Sequence, residues 1–439
     1  MAVSEFDPAG QRLGNPPPNK GFATTMSHST RRRRLVKVAA AAAALGSLAA
    51  IGFVGNSPAQ AEPKQFSGIN TFGSDTLQEV TNAFAGFADG KTYTPLVAGA
   101  TNRVITNWDT LPDNQCMSTK SGSPSFHRPN GSSEGRYMLG IAAGGGTYQS
   151  TFCGSANVGG VIDVARTSSF VTTNTGPLVY VPLGRDATGF AYFAKSGVTP
   201  VTSLTRAQLQ TIYTAGVLAV GGTRIIPCGI QLGSGTFNAW NSAVLITAAQ
   251  EAVAQAECNA IVTATDDNDG RLQESKPIPL RDKGNGAAAN TQVIVGFSAA
   301  NFIAQQNDVA PSVGGNPLSL GVDLGTVTNG STLLGQPYTT AAAIPPATGT
   351  VYSASGTYYN DGSFGRTIGY VLPAATVDEP GELEIKAMFT NLNGTAKICS
   401  APAQATTGTF GFLPIGTCGS TALRGPYLVA TSSFPIPLS

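Results

Sequence analysis

The residues best suited to chemistry are Gly233-Ser234-Gly235-Thr236, set between the apolar run Ile225-Ile226-Pro227 and the helix-like run Phe237-Asn238-Ala239-Trp240. A strand that ends in small and hydroxyl residues and turns straight into a helix presents unpaired backbone N–H groups and Ser or Thr side chains together. Such a turn holds an anion. The same device stands near position 70, where Ile69-Asn70-Thr71-Phe72 runs into Gly73-Ser74-Asp75-Thr76. Two turns of this kind, far apart in sequence, could face one cleft. A third Ser/Gly turn, Gly131-Ser132-Ser133-Glu134-Gly135, also enters a helix-like run, Arg136-Tyr137-Met138-Leu139.

Other chemistries fit less well. Only His28 and His127 are present, and His28 falls in the N-terminal leader, so a Ser-His-Asp triad would need His127. Gly131-Ser132-Ser133-Glu134-Gly135 matches the Gly-x-Ser-x-Gly pattern, yet Arg128-Pro129-Asn130 precedes it where a nucleophile elbow needs a strand, and His127 comes before the serine instead of last. Asp266-Asp267-Asn268-Asp269-Gly270 is not a calcium loop, because the first position would be Thr265 and the twelfth Lys276. It reads as a solvated turn. No C-x-x-C occurs among the six Cys, which argues against redox or zinc roles. No cofactor or metal is expected, and the chain is read as a non-enzyme.

The chain's organisation begins with its leader. Arg31-Arg32-Arg33-Arg34-Leu35-Val36-Lys37 is a positive region, Val38 to Val54 is an Ala-rich apolar run, and Pro58-Ala59-Gln60-Ala61 ends in small residues. This is the pattern of an export signal cut after Ala61. A spanning helix needs about 20 apolar residues, more than this run offers. The arginine block fits either a twin-arginine or an ordinary secretory leader. Residues 1–25, ahead of a second Met at 26, read as an upstream extension or as the product of a misassigned start. Glu62 rather than Cys follows the cut, so no lipid anchor is expected and the product should be soluble outside the cytoplasm.

Residues 1–61 hold seven Lys/Arg and two Asp/Glu; the remainder carries 19 basic and 23 acidic residues, a net of −4. Nucleic-acid binding draws on clustered Lys and Arg, so it is not expected. Only 12% of residues are charged while Gly (53) and Pro (28) are plentiful, a composition that suits a secreted protein. All six Cys lie past the leader, an even number that implies three disulfides. Neighbours should pair, Cys116 with Cys153, Cys228 with Cys258 and Cys399 with Cys418, because each pair closes a loop inside one lobe.

The elements that must position the turns follow from periodicity. Leu77, Val80, Phe84 and Phe87 repeat at helical spacing after the first turn, with Ser74 or Asp75 as N-cap. Ala156 to Asp163 reads as a buried strand ending at Arg166-Thr167-Ser168-Ser169, and polar residues at such an end sit where α/β sheets keep ligands. Leu178 to Leu183 and Gly189 to Phe193 read as two strands joined by a Gly/Asp turn where the chain crosses between lobes. Ser203 to Tyr213 has a hydroxyl cap and helical spacing, Ala248 to Glu257 is helical, and Val293 to Phe297 is a strand leading back. Val309 to Pro346 is Gly/Thr/Pro-rich with few periodic runs, and the C-terminal part alternates short β-like pieces such as Ile368-Gly369-Tyr370.

Pro200-Val201-Thr202-Ser203-Leu204-Thr205, then Gln208-Leu209, Ile212-Tyr213, Ile226-Pro227 and Gly233-Ser234-Gly235-Thr236 together resemble the middle of periplasmic-type phosphate-binding proteins, the solute receptors of Pst-type importers. Gly73-Ser74-Asp75-Thr76 resembles that family's opening turn, Asp163 to Ser169 its strand-end serines, and Gly284-Asn285-Gly286 ahead of Val293 its return segment. The likeness spans roughly residues 66–305 by the order and spacing of the motifs. It implies a two-lobed, class II solute-binding α/β fold whose hinge closes on an oxyanion. It implies as ligand residues Gly73, Ser74, Asp75, Thr76, Thr167, Ser168, Ser234, Gly235 and Thr236. Two positions depart from the family: Ile230 stands where an Arg is common, and Ser168 where a phosphate-reading Asp is found. Arg166 and Arg136 are the cations that could replace the missing charge.

The expectation is therefore a monomeric two-lobed binding protein, with residues 62–182 and 290–439 in lobe 1 and 183–289 in lobe 2. It would capture an inorganic oxyanion, phosphate first, for the membrane subunits of an ABC importer. The alternatives are a secreted surface or matrix protein on the same fold, favoured by the Gly/Thr-rich end and the missing anchor, and a secreted hydrolase.

Overall fold

The computed structural model describes residues 68–88, 91–96, 105–110, 116–150, 153–263, 270–310, 316–343 and 349–428. The stretch expected to be an export leader, the Asp266–Asp269 run and the last eleven residues lie outside the described residues. No helix among the described residues is long and apolar enough to cross a membrane.

The fold is mixed α/β, built on one mixed sheet. Its main strands are β1 (Ile69–Gly73), β2 (Ile105–Asn107), β3 (Val164–Thr167), β4 (Leu178–Ala194), β5 (Leu218–Val220), β6 (Thr223–Pro227), β7 (Thr291–Ser298) and β8 (Gly365–Pro373). They are hydrogen-bonded in the order β5-β6-β7-β4-β8-β3-β1-β2. β1 runs parallel to both β2 and β3, and β6 parallel to β7, while β4 is antiparallel to both β7 and β8. Six helices matter for the site and its supports: α1 (Gln78–Phe84), α2 (Ser132–Ala143), α3 (Arg206–Ala215), α4 (Gly235–Ala243), α5 (Pro277–Gly286) and α6 (Ala299–Gln306).

Side chains alternate across the β1/β3/β4/β8 half of the sheet, as strand geometry requires. Ile69, Val164, Val179, Val181, Ile368 and Tyr370 enter one apolar cluster, while Phe72, Ala165, Leu178, Tyr180 and Val371 enter another on the opposite face. A third cluster, around Trp240, Phe237, Ile226, Val295 and Phe190, forms the core at the other end of β4. The stretch from Val322 to Phe364 sends Leu324, Val327, Tyr358, Tyr359 and Phe364 into that third core.

Where the two halves meet, β4 is one continuous strand and not the two strands with a turn that Gly184-Arg185-Asp186 suggested. Leu178–Ala187 pairs with β8 and Thr188–Ala194 with β7. The polar residues stay extended because each finds a partner. Asp186 lies opposite Arg366 in the ladder and pairs with it, and Arg185 donates to the Tyr359 carbonyl at 2.7 Å.

Two further expectations shift. Val158 to Asp163 is a turn, with Val161 N–H on the Val158 carbonyl and Gly160 at φ +67°; the strand begins at Val164. Arg166 and Thr167 therefore lie inside the strand, and Ser168 at its end. The first helix stops at Phe84, so Phe87 falls in a short strand beside Lys91–Thr92 and is 59% exposed. The Val309–Pro346 stretch holds strands Val322–Leu324, Thr326–Asn329, Thr332–Gly335 and Tyr338–Ala342, which period-two reading did not find.

Other local readings agree with the structure in part. The helix read over Ser203–Tyr213 is present as α3, but it opens at Arg206 with Thr205 as its cap, while Ser203–Thr205 is a short strand. The cap expected of Ser74 or Asp75 does not form, because a 3₁₀ turn, Asp75–Leu77, separates Ser74 from α1 and its side chain makes no capping hydrogen bond. All three disulfides join sequence neighbours, Cys116–Cys153, Cys228–Cys258 and Cys399–Cys418.

Candidate functional site

The three Ser/Gly turns meet at the edge where β1, β3 and β6 end. Gly131, at φ +104°, packs on the second turn so tightly that a Cβ there would lie 2.6 Å from the Gly233 carbonyl oxygen. Ser133 N–H donates to that same carbonyl at 3.1 Å. Gln231 Nε2 donates to Asn130 Oδ1 at 3.3 Å, and Gly73 bridges to Asn130.

Hydroxyls collect at this junction. Ser74 Oγ donates to Ser168 Oγ at 3.2 Å, Ser132 Oγ lies 3.1 Å from Ser168 Oγ, and Ser168 N–H donates to Ser132 Oγ at 3.0 Å. Gly235, the first residue of α4, faces this group. A side chain there would collide with the Ser168 hydroxyl and come within 2.7 Å of the Ser132 and 2.9 Å of the Ser169 hydroxyl. Ser74, Ser132, Ser168, Ser234 and Thr236 are all at most 1% exposed.

Ser234 Oγ accepts from Thr236 N–H at 2.9 Å and from Phe237 N–H at 3.3 Å, which leaves its own hydrogen to donate. Thr76 and Thr236 face each other at 3.5 Å. Among these hydroxyls stands a cation that sequence reasoning missed. Arg366, at the start of β8, donates through Nη2 to Thr236 Oγ1 at 2.7 Å and to Thr76 Oγ1 at 3.4 Å. Its other partner is Asp186, at 2.6 Å from Nη2 and 3.1 Å from Nε. That carboxylate also accepts from Ser298 Oγ and Ala300 N–H, each at 3.0 Å.

A carboxyl group completes the cluster. Glu274, in the loop ahead of α5, is 1% exposed and accepts from Thr76 Oγ1 at 3.4 Å. Burial, and then the charge of Asp75, push it up to about 7, against the pull of Ser234 and Arg366.

Of the residues expected at the site, Ser74, Thr76, Ser168, Ser234, Gly235 and Thr236 come together here. Gly73 lends its carbonyl to Arg166. Asp75 accepts instead from Thr110 Oγ1 at 3.3 Å and from Ser275 Oγ. Thr167 closes on its own backbone, accepting from Ser169 N–H at 3.1 Å and donating to the Ser169 carbonyl at 2.9 Å.

Neither replacement cation reaches these hydroxyls as expected. Arg166 is fully buried and donates to the Ser74 carbonyl at 3.0 Å, the Trp108 carbonyl at 2.9 Å and the Asn107 side chain, so it props the first turn from behind. Burial lowers it to about 10, which leaves it a cation at neutral pH. Arg136 bonds back to the Ser132 carbonyl at 3.1 Å and to Tyr180 Oη at 3.3 Å, beneath the start of α2. Ile230 turns its side chain into the third core, while its N–H donates to Glu251 at 3.0 Å and its carbonyl accepts from Arg271 at 2.7 Å. A buried Glu251–Arg271 pair thus braces the second turn where the resemblance expects an Arg.

Ser132 had a readable signal, a Ser/Gly turn entering a helix. Asp186, Glu274 and Arg366 had none, since their roles depend on partners far away in sequence. His127, the residue a hydrolase would need, is buried in the short strand Phe126–His127, opposite Cys116 in a two-stranded ribbon.

No protein-family model matches the sequence, and no curated protein is similar enough to count as a match. Several solved structures are similar in fold at low identity. One is an ABC-type phosphate transport receptor from Vibrio cholerae, with 15% identity and a TM-score of 0.39 over 80% of this chain and 100% of that one. Another is a phosphate-binding protein from Stenotrophomonas maltophilia, with 13% identity and a TM-score of 0.37 over 80% of this chain and 91% of that one. A third is a DING protein, with 12% identity and a TM-score of 0.42 over 81% and 96%.

Proposed function

We propose that this protein is a non-enzymatic receptor for an inorganic oxyanion, phosphate first, held where the three turns meet. The observation that carries the reading is the convergence of Ser74, Thr76, Ser132, Ser168, Ser234 and Thr236 with the Arg366 guanidinium at the start of α4. Hydroxyls, helix-start N–H groups and a guanidinium are all donors, and together they replace the hydration shell of an anion. The family resemblance of the motifs puts phosphate ahead of other oxyanions.

On this reading Gly73, Asp75 and Thr167 serve the site through the backbone of their turns. The lobes are residues 62–182 with 290–439, and 183–289, closing about the midpoint of β4. The exported chain would act as a monomer and hand its ligand to the membrane subunits of an importer.

Calorimetric titration of the protein with phosphate, sulfate and a phosphate ester tests this directly. Heat with phosphate is expected, and its loss in the Ser234→Ala/Thr236→Ala double variant. Absence of heat with all three anions would reject the reading.

A further inference from the structure

We propose that the site has a neutral compartment beside the anion, built from side-chain amides, and that it takes small phosphate monoesters whose alcohol part carries free hydroxyls. This rests on the oxyanion reading above and extends the guest from bare phosphate to one class of its esters.

Gln231 and Gln273 are at most 1% exposed and lie side by side. Ile230 and Leu272 form a parallel bridge, with Gln231 N–H on the Leu272 carbonyl at 3.0 Å, and both send their side chains into the third core. The next residue on each segment therefore points the other way. That shared face is the face of the site. Gln231 reaches Asn130, just ahead of the third turn, and Gln273 directly precedes Glu274, which reaches Thr76. Helix α6 borders the same loop: Ser298 N–H donates to the Glu274 carbonyl at 3.1 Å, and Gln305 Nε2 to the Ser275 carbonyl. Asn301 stands about one helical turn from Ser298 and from Gln305, so it belongs to that flank.

Four polar atoms of these three amides are buried without a hydrogen-bond partner among the described residues. Gln231 Oε1 and Gln273 Oε1 are acceptors, while Gln273 Nε2 and Asn301 Nδ2 are donors. Buried groups left unpaired in this way are costly, so a guest that satisfies them is favoured. An ion held by the hydroxyls and Arg366 leaves them unpaired, whereas an ester extends beyond its phosphate. An alcohol hydroxyl is donor and acceptor at once, so two of them match two acceptors and two donors. The amides carry no charge and cannot compensate a second ionised group, which favours a polyol phosphate over a diphosphate. All three amides are at most 7% exposed, so the guest is enclosed. The ester is therefore a small free molecule, not a polymer or a membrane headgroup.

The experiment is calorimetric titration of the full chain with inorganic phosphate, with glycerol phosphate and with ethyl phosphate, an ester that has no hydroxyl. Glycerol phosphate should bind at least about tenfold more tightly than ethyl phosphate, as expected when buried hydrogen bonds are gained. Gln273→Leu keeps the side chain's bulk and removes both of its polar atoms, so it should bring glycerol phosphate within about threefold of ethyl phosphate. If phosphate binds while the two esters bind equally, or while neither ester binds, the inference falls and the oxyanion reading stands. A preference that persists in Gln273→Leu would also overturn it, because something other than the amides would then be reading the hydroxyls. If none of the three ligands gives heat, both readings fall. The comparison of the two esters on the unaltered protein decides the ligand class even if the variant does not fold.

Discussion

The first and second turns carry nearly the same four residues, Gly73-Ser74-Asp75-Thr76 and Gly233-Ser234-Gly235-Thr236, yet they use their serines differently. Ser234 caps α4 and spends its oxygen on two backbone N–H groups. Ser74 caps nothing; a short 3₁₀ turn, Asp75–Leu77, follows it, and its hydroxyl donates to Ser168. The supports differ too. A single buried cation, Arg166, holds the carbonyls behind the first turn, while the Glu251–Arg271 pair holds Ile230 ahead of the second. One sequence pattern can thus be stabilised by its own helix or by a distant side chain. In the second case the serine is released from capping and becomes available to other partners.

The largest effect should come from the support that has no local substitute. Arg166→Met removes donors from the Ser74 and Trp108 carbonyls and from Asn107 inside a fully buried site. Unsatisfied buried acceptors cost about 1–3 kcal/mol each, so a loss of at least about 3 kcal/mol is expected. Urea denaturation checks it. A loss below about 1 kcal/mol would show that the first turn does not depend on Arg166, and the contrast between a self-capped turn and one propped from behind would disappear.

What the sequence revealed follows the same division between local and distant causes. Helix α3 and strands β1, β6 and β7 were readable because each is decided within a few residues. The disulfides were readable because each closes a loop within one part of the fold. β4 was misread as two strands because Asp186 looks like a turn residue until Arg366, 180 positions later, pairs with it. Arg366 meets Thr76 across 290 positions and Glu274 meets it across 198, so no window of sequence shows either at the site. Thr167 and Asp75 erred in the opposite sense: their residue types suit an anion, but other partners engage them, Ser169 for Thr167 and Thr110 and Ser275 for Asp75.

A smaller effect on stability, with a large one on binding, is expected at Gly235. Its Cβ position is crowded by the Ser168, Ser132 and Ser169 hydroxyls, side chains that can rotate away at a cost of about 1–2 kcal/mol. In Gly235→Ala those hydroxyls would be driven from their shared position, and phosphate affinity should fall at least about 100-fold, or about 2.7 kcal/mol. Titration beside urea denaturation separates the two quantities. Unchanged affinity would place the anion away from the start of α4.

The finest test compares the two serines. Ser234→Ala strips the cap from α4 and should cost about 1 kcal/mol of stability. Ser74→Ala removes one hydroxyl-to-hydroxyl bond and should cost about 0.5 kcal/mol, because Arg166 and not Ser74 holds the first turn. Both should weaken phosphate binding, since each removes one donor from the cluster. Equal stability costs would mean that Ser74 also supports its helix, and the distinction between a self-capped and an externally propped turn would be lost. Equal losses of affinity alongside unequal losses of stability are what the geometry requires: the serines differ in what they do for the fold and agree in what they offer a guest.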